Sequence, residues 1–306
     1  MNNVSKAQPQ GSPAGAGALF FIQIFATLGF AVLYSTLVLY ATKRLGFSEA
    51  QANATMGVFG AFNYGLHLFG GYLGGRFLSN RNLFVLGMVL QVAGCWVLSG
   101  ESAQGLYWGL AMFLTGSGLN VTCINMMLTQ RFAPDDQRRE SAFLWNYAGM
   151  NLGFFIGFTG AGYFQLGEHY QALFLFATVG NALAIIISLL RWKILADIDT
   201  PLLHANPRQF RLRMLVGLAV LVILVPVIRV MLTHADFTGS FVIGLGGLIF
   251  LLLCVTTLRH RPRDEQRRMT AYLLLALGSL VFWMLYQLAP MGLMLFVEHN
   301  INLNVW

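Results

Sequence analysis

Apolar side chains occur along the chain in long runs that short polar or charged segments separate. A continuous apolar run in lipid has to satisfy its own backbone hydrogen bonds, which an α-helix does. About 20 helical residues cross the hydrocarbon core of a bilayer. The pattern therefore predicts nine membrane-spanning helices, over residues 17–42, 50–75, 83–100, 105–130, 141–165, 172–190, 214–233, 237–258 and 269–297.

Uncharged polar side chains recur within these runs at helical spacing. Residues four apart lie on one face of a helix, and four runs carry such a face. Hydrogen bonding that only holds helices together would explain any single one of them. Four polar faces on four helices favour a shared cavity instead, and the lining that the spacing predicts is Gln23, Tyr34, Asn63, Tyr64, Tyr147, Asn151, Trp283 and Gln287.

The composition agrees with a membrane protein, because hydrophobic residues make up 57% of the chain and charged residues only 10%. A soluble domain has about a quarter charged residues. Residues 1–16 are polar and contain no apolar segment of the kind found in a signal peptide. We therefore expect residues 1–16 to form a disordered tail on the cytoplasmic side.

Lysine and arginine are distributed unevenly between the two sides of the predicted helices. With the N-terminus placed in the cytoplasm, 16 of the 19 basic residues fall in cytoplasmic segments, and Lys43, Arg44 and Arg229 fall on the opposite side. Cytoplasmic loops of membrane proteins carry such an excess. The pattern thus predicts a multi-pass protein with a cytoplasmic N-terminus. It also accounts for the net charge of +7 without a nucleic-acid partner.

Ionisable side chains are nearly absent from the middle of the predicted helices. Because such residues usually mark ion pathways, His67 is the candidate for proton coupling. The alternative is a histidine that only bonds to a neighbouring helix. The sequence contains no motif for a nucleophile, a phosphate loop or a metal site. It therefore predicts a protein without enzymatic activity, metal or cofactor, apart from protons as a coupling ion.

Several stretches together resemble the proton-dependent oligopeptide transporter family of the major facilitator superfamily. They are LVLYATKRLGFSEAQA (37–52) with GGYLGGRFLSNRN (70–82), GSGLN (116–120) with RRESAFLWNYAGMNLG (138–153), and FWMLYQLAPMGLMLFVEHNIN (282–302). The resemblance covers nearly all of residues 17–306. It implies a secondary transporter of the bacterial inner membrane that moves a small peptide-like or other organic solute by alternating access.

The resemblance also implies a division of the all-α chain. Residues 17–192 would form the N-terminal six-helix bundle of a major facilitator. Residues 193–268 would form a cytoplasmic linker with an inserted two-helix hairpin (214–258), and 269–306 the first helix of an incomplete second bundle. The alternative function is therefore a non-transporting fragment, or half of a split transporter whose C-terminal half another chain supplies. The expected partners are the lipid bilayer and a small-molecule or peptide substrate.

The charged positions of the family are replaced in this sequence. The Glu-x-x-Glu-Arg motif of the family's first helix falls on Gln23, Ala26 and Thr27, and a peptide-contacting Arg falls on Tyr34. The Lys of its fourth helix, which the resemblance implies to pair with the Glu of its seventh core helix, falls on Val121, and that Glu falls on Gln287. Losing a buried charge pair as a unit is far less costly than losing one partner. The sequence is therefore interpreted as a divergent member without the usual coupling carboxylates, and it predicts a neutral or differently charged substrate.

Two pocket residues of the family are kept. They are the Tyr at position 64 and the Asn at position 151. The resemblance implies that Tyr64 and Asn151 contact the solute.

Overall fold

The computed structural model describes residues 13–133, 135–259 and 262–301. The long helices are α1 (Ala16–Leu39), α2 (Glu49–Leu73), α3 (Asn80–Leu98), α4 (Ala103–Thr129), α5 (Arg138–Leu166), α6 (Tyr170–Leu190), α7 (Pro207–Thr233), α8 (Ala235–Arg259) and α9 (Arg263–Gln287). Five-residue π-helical turns continue α1 (Tyr40–Arg44) and follow α9 (Ala289–Leu293). A short helix, α10 (Met294–Asn300), comes after the second turn.

The first eight predicted runs fall on α1 to α8 in order, and the ninth, 269–297, extends over α9, the second π-helical turn and α10. The all-α architecture is therefore confirmed for the described residues. Among them, seven helical segments are long and apolar enough to cross a membrane by length and composition. Helices α2 and α5 do not reach that composition, because both carry polar side chains and glycines. The predicted tail lies outside the described residues except for residues 13–16, and Ala16 already belongs to α1.

Helix α1 lies inside the bundle and contacts α5, α6 and α2. Helix α3 packs along α4 and α6, and α2 packs along α4. Outside these six helices, α7 contacts α4 and α8 contacts α2. Helix α9 buries only Leu273 among the described residues. The predicted boundaries after residues 192 and 268 stay predictions.

Glycines bring α4 into backbone contact with α3. A Cβ on Gly116 would lie 2.0 Å from the carbonyl oxygen of Gly87, and a Cβ on Gly94 would lie 2.6 Å from that of Gly109. Small residues allow such close approach between membrane helices, where van der Waals contact supplies much of the stability. These four glycines therefore fix the distance between α3 and α4.

The glycines of α5 face α1 in the same way. A Cβ on Gly153 would lie 2.4 Å from the carbonyl oxygen of Ile24, and one on Gly157 would lie 2.5 Å from the Cβ of Ala31. Gly160 does not continue this contact, because it faces the ring of Phe176 on α6. The stripe of small residues on α5 thus sets the α1–α5 distance over about two helical turns.

The segment 191–206, between α6 and α7, crosses the ends of three other helices. Hydrogen bonds run from Leu202 N to Gly75 O (2.9 Å), from Arg81 Nη1 to Trp192 O (2.6 Å) and from Arg131 Nη2 to Ile194 O (2.5 Å). We call 191–206 the strap. It joins the end of α2, the beginning of α3 and the end of α4.

Asp197 is the carboxylate of the strap that caps α3. It accepts hydrogen bonds from the backbone N–H of Asn80 (3.0 and 3.2 Å to its two oxygens) and from Asn80 Nδ2 (3.3 Å). These bonds satisfy donors at the start of the helix, which have no partner within it. Burial raises the pKa of Asp197, while the Asn80 hydrogen bonds and the charges of Arg81 and Arg131 act in the opposite direction.

Asp197→Ala is expected to lower the free energy of unfolding by about 1–3 kcal/mol, because the donors of Asn80 lose their acceptor. Asp197→Asn keeps an acceptor oxygen and should lose less. The raised pKa means that the folded state holds the proton more tightly than the unfolded state. The contribution of this carboxyl to stability therefore falls as the pH rises from 3.8, its ordinary value, through the raised pKa.

Thermal midpoints of the purified protein between about pH 4 and 7 check both points. Asp197→Asn should lack the part of the pH dependence that comes from this carboxyl. Equal pH profiles for the wild type and Asp197→Asn would contradict the assignment.

Candidate functional site

A cavity of about 500 Å³ lies inside the bundle between α1, α2, α3, α4, α5 and α9. Small-molecule sites in proteins have volumes of roughly 300–1,000 Å³. We call it the central cavity. Its polar lining outside α9 consists of Gln23 and Thr27 (α1), Asn63, Tyr64 and His67 (α2), Gln91 (α3), Ser117 and Asn120 (α4), and Tyr147 and Asn151 (α5).

Charged side chains are missing from this lining. None of the described residues around the central cavity is Asp, Glu, Lys or Arg. Over the same described ranges, no group of three or more His, Cys, Asp or Glu residues is placed to hold a metal ion. The central cavity thus offers hydrogen bonds and aromatic surface, and His67 is the one histidine among its described lining residues.

Both ends of the Gln23 amide are hydrogen-bonded, and one of the two bonds connects α1 to α5. Its Nε2 donates to Thr27 Oγ1 at 2.9 Å, and its Oε1 accepts from Asn146 Nδ2 at 3.3 Å. The side chain is buried. Gln23 is therefore fixed on the cavity wall by one neighbour in its own helix and one in α5.

Two residues of α2 differ in how they are held. The Oδ1 of Asn63 accepts a hydrogen bond from Ser117 Oγ at 2.9 Å. The backbone carbonyl of His67 accepts from Thr122 Oγ1 at 3.0 Å, but its imidazole Nε2 is buried without a hydrogen-bond partner among the described residues. The ring of Tyr64 stands edge-on to the imidazole at 5.9 Å. The described residues thus do not supply the helix-bridging hydrogen bond of the alternative interpretation.

A pair of buried amides, Gln91 and Asn120, forms another part of the wall. With its amide turned to satisfy its neighbours, Asn120 accepts from Gln91 Nε2 (2.6 Å) and donates to the carbonyl oxygens of Gly116 (3.2 Å) and Phe84 (3.3 Å). Sequence reasoning missed both amides, because they bond to each other between two helices and spacing along one helix does not show such a pair. The available signal was the position of Asn120 at the end of the GSGLN motif.

Aromatic rings close the side of the central cavity toward α9. Tyr64 and Trp283 have ring centroids 6.1 Å apart, and Trp283 and Tyr286 have theirs 5.5 Å apart. Phe30 and Phe154 meet edge-to-face at 6.1 Å. Tyr64 and Trp283 are only about half buried, so their faces are open to a flat or apolar group.

Tyr34 and Gln287 lie outside the central cavity and bond to each other. The Tyr34 hydroxyl donates to Gln287 Oε1 at 2.5 Å and so joins α1 to α9. Further toward the same end, Lys43 forms an ion pair with Glu298 of α10 and lies 3.8 Å from Glu168. These contacts hold α1 against α9 and α10 at one end of the bundle.

The structure brings together most of the side chains predicted from helical spacing. Of the nine predicted site residues, seven line the central cavity: Gln23, Asn63, Tyr64, His67, Tyr147, Asn151 and Trp283. Asn151 has its Nδ2 bonded to the carbonyl of Tyr147 in its own helix, at 2.9 Å. The roles of these residues in binding stay predictions.

The fold matches a known superfamily. The model of the family described as Major Facilitator Superfamily matches residues 19–298, which is more than half of the chain. The chain belongs to the Major Facilitator Superfamily. The match extends from the first turns of α1 to α10, so it includes every helix that lines the central cavity.

Curated relatives of this major facilitator protein include dipeptide and tripeptide permeases. Dipeptide and tripeptide permease A of Cronobacter turicensis is 27% identical over 290 residues, which are 93% of this chain and 57% of the relative. Dipeptide and tripeptide permease B of Photorhabdus asymbiotica is 25% identical over 286 residues, which are 93% of this chain and 58% of the relative. The chain thus spans less than two thirds of the length of these relatives.

Solved structures agree with the relatives. A crystal structure of the peptide transporter POT in complex with sulfate superimposes with a TM-score of 0.79 at 25% identity, over 98% of this chain and 64% of the other. A POT family transporter in complex with 5-aminolevulinic acid has a TM-score of 0.79 at 24% identity, over 98% of this chain and 65% of the other, and shows the shared fold. The resemblance to the oligopeptide transporter family is therefore confirmed.

Proposed function

We propose that the chain carries the solute-binding cavity of a secondary transporter of the oligopeptide-transporter type. It would move a small peptide-like or other organic solute by alternating access. The supporting observation is the central cavity, which six helices enclose with uncharged polar and aromatic side chains. Carriers of this kind hold their solute between helices near the middle of the membrane.

The lining favours a solute that is bound through hydrogen bonds and ring contacts. Asn63 and Asn120 carry amides, Tyr64 and Tyr147 carry hydroxyls, and Trp283 offers a ring face. A solute with a net charge would lose its hydration without a counter-charge in the central cavity, which is costly. We therefore propose a solute that is neutral overall.

The proposed location is a bacterial inner membrane, with the N-terminus in the cytoplasm. The three basic residues assigned to the outer side have partners at one end of the bundle. Arg44 pairs with Glu101, and Arg229 donates to Gln104 at 2.9 Å. The strap contains further basic residues and lies at the end where α1 begins, which supports the positive-inside orientation.

Transport by the purified chain in liposomes tests the proposed function. The solutes would be a panel of neutral, zwitterionic and singly charged di- and tripeptides and small organic molecules, each measured with and without a pH gradient. We expect saturable uptake of solutes that are neutral overall. Uptake no faster than in protein-free liposomes for the whole panel, by protein that keeps its thermal midpoint, would refute transport by this chain alone.

His67→Ala is expected to abolish any stimulation of uptake by a pH gradient. The reason is that imidazole is the side chain whose ordinary pKa lies near neutral pH, that His67 is the histidine among the described lining residues, and that its Nε2 has no partner among the described residues. Initial rates with and without the gradient give the measurement. His169→Ala, in the segment between α5 and α6, is the matched control. If a pH gradient still stimulated uptake by His67→Ala, the proposed coupling role of His67 would be wrong.

A second candidate function is half of a split transporter that works with a partner chain. It is favoured because part of the cavity wall is exposed: Tyr147, Asn151 and Trp283 line the cavity and are also accessible from outside the bundle. In this case the purified chain would bind a solute in detergent but would not transport it in liposomes. Binding without uptake, followed by uptake when a second chain is added, would establish this function.

A further inference from the structure

A second pocket, of about 740 Å³, lies beside the central cavity between α1, α4 and the first turns of α5. Gln23, Val121, Tyr147 and Met150 line both spaces, so the two share a wall. We call the second space the side pocket. Its own lining differs from that of the central cavity, because it includes the charged pair Arg139 and Glu140.

Arg139 and Glu140 bring opposite charges to the same pocket. The guanidinium of Arg139 lies 5.9 Å from the ring centroid of Phe143, one turn further along α5. Over the described ranges neither side chain forms an ion pair or a side-chain hydrogen bond. Glu140 lies in the first turn of α5, where an acidic residue also favours the helix. The position of Glu140 is therefore explained by helix stability alone, and a role in ligand binding needs a second observation at the same pocket.

Asn146 provides that support. Its side chain is 7% exposed, its Nδ2 donates to Gln23 Oε1, and its Oδ1 is buried without a hydrogen-bond partner in the described parts of the chain. Asn146 lines the side pocket. A buried acceptor without a partner costs stability. A donor on a bound molecule would satisfy it, and the same amide is bonded to Gln23 on the wall of the central cavity.

We propose that the side pocket is a second binding position for a zwitterionic solute that bears one carboxylate and one ammonium group. Arg139 would bind the carboxylate, since a guanidinium can form two parallel hydrogen bonds with it. Glu140 would bind the ammonium group, and Asn146 Oδ1 would accept from an N–H of the solute. This proposal rests on the proposed function and deepens it, because charge recognition lies next to the neutral central cavity and not inside it.

Three related dipeptide probes test recognition of the carboxylate and of the ammonium group separately. Dialanine carries both, dialanine amide lacks the carboxylate, and N-acetyl-dialanine lacks the ammonium group. Affinities for the purified full chain would be measured by calorimetry for the wild type, Arg139→Gln and Glu140→Gln. Arg191→Gln, an exposed arginine at the end of α6, and Glu49→Gln, an exposed first-turn acid of α2, are the matched controls.

Arg139→Gln should weaken dialanine and N-acetyl-dialanine by about tenfold and leave dialanine amide unchanged. Glu140→Gln should weaken dialanine and the amide by about tenfold and leave N-acetyl-dialanine unchanged. A purely structural role of either residue would affect all three probes equally. Equal losses for all three would therefore overturn the proposal.

Asn63→Ala, in the central cavity, separates this proposal from the proposed function. If it weakens all three probes while the side-pocket variants behave like their controls, the proposed function stands and the second position is wrong. If the wild type binds none of the probes, the second position is wrong, and uptake of the wider solute panel in liposomes decides the proposed function separately. Selective losses in the two side-pocket variants support both.

Discussion

Replacing Gly116 by alanine is expected to lower the free energy of unfolding by about 3 kcal/mol, the upper end for overpacked sites. The added methyl group would lie 2.0 Å from the carbonyl oxygen of Gly87, and a backbone atom cannot turn aside as a flexible side chain can. Helices α3 and α4 would have to move apart. The separation would also disturb the bond between Gln91 and Asn120. Thermal midpoints in detergent give the measurement.

Gly65→Ala is the matched control, because a Cβ on Gly65 would meet no atom within 4 Å. Gly65 lies inside α2, so alanine there should be neutral or stabilise the helix by up to about 1 kcal/mol. If Gly116→Ala unfolded at the same temperature as Gly65→Ala, the proposed backbone contact between α3 and α4 would be wrong.

Gln23→Glu is expected to make the stability of the protein depend on pH through a new carboxyl group in the wall of the central cavity. The neutral carboxylic acid has the shape of the amide and can bond to Thr27 and Asn146. Its ionised form would face a central-cavity lining without a basic counter-charge in the described residues, and an unpaired buried charge is costly. The variant should therefore lose stability relative to the wild type as the pH rises from about 5 to 8, by up to about 1.4 kcal/mol per unit.

Gln23→Met is the control for the lost amide. It has similar length, cannot titrate and leaves Asn146 without its acceptor, so any destabilisation should be the same at every pH. Thermal midpoints of both variants across the pH range give the comparison. Parallel profiles for Gln23→Glu and Gln23→Met would contradict the view that the central cavity lacks a counter-charge for a carboxylate.

The helices could be predicted from the sequence because apolar runs in lipid leave the backbone little choice. The boundaries differ where polar residues extend a helix beyond the apolar run. Helix α7 begins at Pro207, whereas the run begins at 214, because Asn206 caps a first section that carries three arginines. Helix α3 likewise begins at Asn80, with Ser79 as its cap.

The candidate site could be predicted only where its residues repeat along one helix. The four-residue spacing found Asn63 with His67, and Gln23 with Thr27. It placed Tyr34 and Gln287 in the lining, whereas the structure has them bonded to each other outside the central cavity. Spacing along one helix does not show how far a residue lies from the cavity along the helix axis.

Contacts between helices could not be predicted from that spacing. The pairing of Gln91 with Asn120 depends on the register of α3 against α4, and close glycine contacts between the two helices set that register. The bond between Asn146 and Gln23 likewise depends on the register of α5 against α1, which the close contacts of the α5 glycines set. A polar residue in an apolar run therefore predicts a hydrogen bond to another helix, but it does not identify the residue that accepts or donates that bond.

The strap holds one part of the bundle together, whereas the contact between α1 and the α9–α10 segment, which we call the seam, has fewer polar bonds. It ties α2, α3 and α4 to the chain that joins α6 and α7, so these helices must tilt together in any rigid-body motion. The polar bonds between α1 and the α9–α10 segment are few by comparison, namely Tyr34 with Gln287 and Lys43 with Glu298. Opening of the bundle at that end would begin along this seam, and amide hydrogens there would exchange before those beneath the strap.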